Sequence, residues 1–150
     1  VFCGNFSFNA VKGSLNEMIV HFIDGSSTGD YIAINAYLPR NKEVFDHLQT
    51  FRQWIASING QATTLGFGPR FLHSTGQLHK GGPPIGRFIQ ITRGIETNQA
   101  PIPNMGVSFS ILQTAQALGD YEALLGRGRP VLWIHFNDPD LSGLNFLTQH

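Results

Sequence analysis

From Tyr31 to Leu38 the chain reads Tyr31-Ile32-Ala33-Ile34-Asn35-Ala36-Tyr37-Leu38, apolar at nearly every position. A strand with one wet face alternates apolar and polar residues, whereas a strand covered on both faces does not. Pro39 ends the run. The pattern therefore predicts a strand of a parallel sheet sandwiched between helices. Its neighbours agree. Ser14-Leu15-Asn16-Glu17 reads as a capping box, and Leu15, Met18, Ile19 and Phe22 follow at helical spacing to about Ile23. A turn from Asp24 to Asp30 precedes the strand. After it, Asn41 caps a helix carrying Val44, Leu48, Phe51, Ile55 and Ile58 on one stripe, and Asn59-Gly60 supplies a left-handed stop.

Further strands are expected at Gln61 to Phe67, Arg87 to Thr92 and Pro130 to Phe136. A helix starting near Ser108 or Ser110 carries Ile111, Leu112, Ala115 and Leu118 and stops at Gly119. Asp120 then caps a short helix through Leu125. Phe2, Phe6 and Phe8 fit a short strand or an irregular arm. This order predicts an α/β three-layer sandwich with a mostly parallel sheet of four to five strands. Residues 1–136 form the domain, and 137–150, without a clear period, read as a tail or as a segment lying against a missing partner domain.

Acids and bases cancel at 10 each, which argues against a nucleic-acid or anionic-membrane surface. No apolar run approaches the roughly 20 residues that span a bilayer. The lone Cys3 excludes an internal disulfide framework and fits a reducing cytoplasm. The start at Val1 lacks a signal-peptide pattern and suggests a piece of a longer polypeptide.

Ligands of open α/β sheets sit beyond the carboxyl ends of the strands. The segment leaving the second strand is therefore the first candidate. It runs Gly66-Phe67-Gly68-Pro69-Arg70-Phe71-Leu72-His73-Ser74-Thr75-Gly76-Gln77-Leu78-His79-Lys80-Gly81-Gly82-Pro83-Pro84. Glycines let backbone amides approach a ligand, imidazoles exchange protons near neutral pH, and Lys or Arg suit a phosphate or a developing oxyanion. The segment has no Walker spacing, and no nucleophile elbow surrounds Ser74. His73 and His79 stand too far apart for two metal ligands one helical turn from each other. No metal is expected from this spacing.

These same residues carry a resemblance. Gly68, His73-Ser74, Gln77-Leu78, His79 and Gly81 match the histidine segment of phosphoglucose isomerases. The run from Arg70 to Pro83 is similar to the isomerase half of bacterial transaldolase/glucose-6-phosphate isomerase fusions, with further likeness over about residues 29–136. The resemblance implies a sugar-isomerase (SIS-like) fold, this chain being the C-terminal of two subdomains. It implies interconversion of glucose 6-phosphate and fructose 6-phosphate through ring opening and a cis-enediol, without cofactor. The partners implied are a hexose 6-phosphate, an N-terminal SIS subdomain, a transaldolase domain and a second copy in a homodimer.

By motif match His73 takes the role of handling the ring-oxygen proton. Gln77 and Lys80 become contacts to sugar hydroxyls or phosphate. Ser74 and Thr75 supply hydroxyls or cap the helix that follows, and Arg70 holds a phosphate or fixes the loop. Gln113, with Ser110, stands in the stretch where the family places a substrate-binding lysine. His79 has no role assigned, and His21, His47 and His135 are expected to be structural.

Two departures stand out. No lysine follows Lys80, and the position resembling the proton-shuttling glutamate, in Ile55-Ala56-Ser57-Ile58-Asn59-Gly60-Gln61, is Ala56. Glu17 and Glu43 read better as helix N-terminal charges. The chain alone is accordingly expected to be inactive, its base lying in another segment. The missing groups also keep a non-catalytic sugar-phosphate-binding module in view. Charged residues are sparse at 13%, and Phe is abundant, which suits a structural domain appended to transaldolase.

Overall fold

The structure, a computed structural model, describes residues 2–4, 14–96, 99–137 and 141–148. In chain order it contains β1 (Phe2–Gly4), α1 (Leu15–Asp24), β2 (Tyr31–Tyr37), α2 (Lys42–Asn59) and β3 (Ala62–Phe67). A 3-10 turn (Arg70–His73) leads into α3 (Thr75–Gly81), followed by β4 (Gly86–Arg93), α4 (Phe109–Leu125), β5 (Val131–Phe136) and a second 3-10 turn (Ser142–Thr148). The strands form one sheet in the order β1-β5-β4-β2-β3, all parallel except β1, which runs antiparallel to β5. The expected three-layer α/β sandwich is present. Of the N-terminal arm, Phe6 and Phe8 lie outside the described residues.

Local chemistry sets the helix ends. The capping box at Ser14 and Glu17 is complete, with the Ser14 amide donating to Glu17 Oε2 at 2.6 Å. Asn41 Oδ1 accepts from the Val44 amide, and Gly60 ends α2 at φ 71°, a left-handed position that glycine adopts without strain. On one sheet face, Ile32, Ile34, Ala36, Ile89, Ile91, Leu132 and Ile134 pack against α1 and α2 in a large apolar core. The other face is covered by α3 and α4 and is far more polar. Asn35 and Gln90, register partners on β2 and β4, are both buried there. Gln90 Nε2 donates to the Ala117 carbonyl of α4 at 3.0 Å.

That polar face explains two corrections. The helix does not stop at Gly119: α4 runs unbroken to Leu125, and Asp120 is buried within it rather than capping a second helix. A mid-helix glycine costs about 1 kcal/mol relative to Ala. Continued packing of Ala117, Asp120 and Leu124 on one face outweighs it. The expected apolar stripe also faces the wrong way. Ile111, Ala115 and Leu118 are exposed, while Ser110, Ala117, Asp120 and Leu124 face the sheet.

The segment expected as a tail is the third correction. Leu144 and Leu147 of the second 3-10 turn are buried in the α1/α2 core. These two leucines shield the same apolar face, so the turn closes this chain's own core.

Candidate functional site

The topology locates the site. From β2 the chain passes through α2 to β3 on one side, whereas β4 leads through α4 to β5 on the other. The direction reverses between β2 and β4. Beyond the carboxyl ends of such a pair the connections diverge and leave a crevice. Here a small cleft is lined by Tyr37, Thr92, Arg93, Gly94, Ser110, Gln113 and Thr114. It shares Arg93, Ser110 and Gln113 with a groove of about 320 Å³ that continues over Pro69, Gln99, Leu112 and Gln116.

The first turn of α4 forms one wall. Ser108 Oγ accepts from the Ile111 amide, and Gln99 Oε1 accepts from the Ser110 amide at 3.0 Å. Arg93 Nη2 meets Glu96 Oε1 at 2.5 Å, and the Gln99 amide donates to Glu96 Oε2 at 2.6 Å. The Gln99 amide and then Arg93 hold the Glu96 carboxyl below its ordinary range. The motif segment forms the other wall. Gln113 Nε2 donates to the Gly68 carbonyl at 3.4 Å, linking α4 to the start of that segment. Gly68 itself has no alternative: a Cβ there would stand 2.5 Å from the buried Tyr37 ring.

The residues chosen from the sequence separate into three groups. His73 is exposed at the end of the 3-10 turn, and Arg70 and Thr75 are exposed beside it. Ser74 and Gln77 brace the turn. Ser74 Oγ donates to the Phe71 carbonyl at 3.2 Å and does not cap α3, while Gln77 Nε2 donates to the Leu72 carbonyl at 2.8 Å. Lys80 points inward, with Nζ 2.6 Å from Asp120 Oδ1 in a close charge pair whose side chains are 20% and 1% exposed. A cation committed to a buried carboxylate is a poor phosphate ligand.

His79 now has a place. Its ring centroid lies 5.0 Å from that of Phe88, 5.9 Å from Tyr31 and 6.3 Å from Phe71. Burial pushes its pKa down, with Asp120 opposing and Lys80 reinforcing the shift. It is a neutral core imidazole. His21, His47 and His135 lie in α1, α2 and β5, and His135 Nδ1 is 2.8 Å from Thr92 Oγ1.

Sequence reasoning missed Tyr37, Arg93, Asp120 and Arg129. Tyr37 looked like one more apolar strand residue, yet its hydroxyl faces Asp120, and burial followed by that carboxylate raises its pKa. Arg129, nearly buried, donates from Nη2 to the Gly82 carbonyl at 2.6 Å and closes the end of α3. Its position just before Pro130 carries no periodic signal.

The look-alike of the glutamate segment is not near this site. Helix α2 leaves β2 at the carboxyl edge and runs back to β3, so Ala56 and Gly60 sit at the amino edge. A cavity of about 540 Å³ lies there, lined by Asp24, Ser26, Asp30, Gly60 and Gln61. Its polar groups already bond one another: Asp30 Oδ2 accepts from the Ser27 amide, Asn59 Nδ2 donates to Ser26 Oγ, and Gln61 Nε2 donates to the Ser27 carbonyl.

No protein-family model and no curated protein matches the chain. Among solved structures, the crystal structure of a hypothetical protein from Thermus thermophilus is similar, with a TM-score of 0.61 and 19% identity. The two share a fold. The match covers 89% of this chain and 36% of that one, so the chain spans about a third of that protein's length. Among the described residues, no helix is long and apolar enough to cross a membrane.

Proposed function

We propose that this chain is the C-terminal, SIS-like subdomain of a glucose-6-phosphate isomerase and that a hexose 6-phosphate lies across its carboxyl edge. One observation carries this reading: the exposed His73 stands on the turn that leaves β3, and Gln113 ties the start of that segment to the wall of the switch-point cleft. An accessible imidazole there can give a proton to the ring oxygen as the ring opens and take it back on closure. Ser74, Thr75 and Gln77 offer hydroxyl and amide contacts to sugar oxygens beside it, Arg70 offers charge to the phosphate, and Gln113 lines the switch-point cleft from α4.

The carbon-bound proton needs a positioned base. Glu17 is engaged in its capping box, and Ala56 lies at the far edge of the sheet. On this reading the base comes from the partner subdomain, and catalysis belongs to a longer chain, cytoplasmic and dimeric. A titration with 5-phosphoarabinonate, followed through the His73 ring protons by NMR, tests capture. Saturable shifts at His73 support it, and an unmoved spectrum rejects it. In a longer chain carrying the first subdomain, His73→Ala should lower kcat/KM by on the order of a hundredfold or more.

The burial of Lys80 against Asp120 favours a second reading, a sugar-phosphate-binding module without turnover. Ligand capture by His73 in a longer chain that fails to interconvert the two hexose phosphates would select it.

A further inference from the structure

The recognition turn stands on a weak support. Helix α3 has seven residues, of which only Gly76 and His79 are buried. A helix this short does not hold its place through backbone hydrogen bonds alone. Three anchors fix it instead: the ring contacts of His79, the Arg129 guanidinium on its last carbonyls, and the Lys80–Asp120 pair. Only the last joins α3 directly to α4, the helix that carries Gln113. Asp120 also faces Tyr37, whose ring packs on Gly68 immediately before the turn. One buried carboxylate thus touches elements on both sides of the cleft.

Apolar residues would fill this space with similar stability, because buried ion pairs seldom outdo a well-packed hydrophobic replacement. Their best-attested use is to select one arrangement among several. We infer that Asp120 is a positioning residue: by holding Lys80 and abutting Tyr37 it sets where the His73 turn stands relative to Gln113. The inference rests on the sugar-phosphate role given above to His73.

The test uses the full chain with 5-phosphoarabinonate as probe, in wild type, Asp120→Asn, His73→Ala and the double variant. Misplacing a contact group by about 1 Å costs on the order of tenfold to a hundredfold in such sites. Asp120→Asn should weaken binding by that factor when His73 is present and have little further effect in the His73→Ala background. Equal losses in both backgrounds, or no loss, would overturn the inference.

A second variant guards against misfolding. Lys80→Met/Asp120→Leu should keep the fold yet lose probe affinity as Asp120→Asn does, whereas retained affinity would refute the positioning role. Amide exchange without ligand separates the two claims. Both variants should exchange faster over residues 70–81 than wild type while α2 is unchanged. If wild type does not take the probe, the assignment of His73 fails, and exchange alone decides the role of Asp120, unchanged protection over 70–81 overturning it.

Discussion

Removing Lys80 and removing its partner should have very different costs. The two side chains are 20% and 1% exposed. In Lys80→Met the Asp120 carboxylate stays behind in a site that water barely reaches. An uncompensated buried charge costs about 3–5 kcal/mol. In Asp120→Asn the lysine is left, and its stem can swing the ammonium to the solvent it already touches, so the loss falls to about 1–2 kcal/mol. Replacing both, as Lys80→Met/Asp120→Leu, should return to within about 1 kcal/mol of wild type.

For a chain of this size each kcal/mol moves Tm by about 2–4 °C, so Lys80→Met should fall by on the order of 10 °C and the double variant by far less. Urea unfolding of the four proteins at pH 7, with m-values compared to confirm a common unfolded state, measures the order directly. Equal costs for the two single variants would refute the escape of the Lys80 ammonium to solvent, and a Lys80→Met cost under about 1 kcal/mol would show a solvated surface pair. Lys80 would then be free for a ligand after all.

Three further outcomes follow from the same structure. Burial lowers the pKa of His79, so the unfolded chain binds a proton that the folded one refuses. Stability is then full above the unfolded value near 6.5 and is lost as pH falls below it, by at most about 1.4 kcal/mol per pH unit. His79→Phe should flatten that part of the urea midpoint's pH profile, and an unchanged slope would place the titration elsewhere. Gly119 sits exposed within α4 with nothing within 4 Å of a built Cβ. Gly119→Ala should therefore stabilise by about 1 kcal/mol in thermal melts, and a loss would contradict the unbroken helix. Leu147 is fully buried in the α1/α2 core. Leu147→Ala should cost about 2–5 kcal/mol by urea unfolding, whereas under 1 kcal/mol would mark the segment as a loosely docked tail.

What the sequence reveals differs between the two faces of the sheet. The α1/α2 face obeys simple rules. The Ser14 box, the Asn41 cap, the Gly60 stop and the Val44, Leu48, Phe51, Ile55 stripe each appear in the structure where periodicity and capping chemistry predict them. Here the driving force is apolar burial, and burial has a period. The α3/α4 face does not obey them. Asn35, Gln90 and Asp120 are buried there, and α4 keeps Ile111 and Leu118 outside. A pattern search that assigns apolar residues to the core turns this helix the wrong way round and cuts it at Gly119. Leu144 and Leu147 were missed for another reason, since a short 3-10 turn offers too few residues for any period.

The same asymmetry explains why the candidate site was legible in part. Composition finds the His73 segment because glycines, hydroxyls and cations cluster there, but it cannot say which polar groups face a ligand and which face the protein. His73 and Lys80 look alike in the sequence, both basic side chains in one motif. Burial separates them. Helix α3 turns Lys80 toward the polar side of the sheet, where Asp120 meets it, and the preceding 3-10 turn leaves His73 in solvent. A polar interior needs paired charges to be stable at all, so part of any cationic motif lying over such a face is drawn inward as structure. The residues left outside, His73 with Arg70, Ser74, Thr75 and Gln77, are the ones on which the proposed sugar-phosphate contact rests.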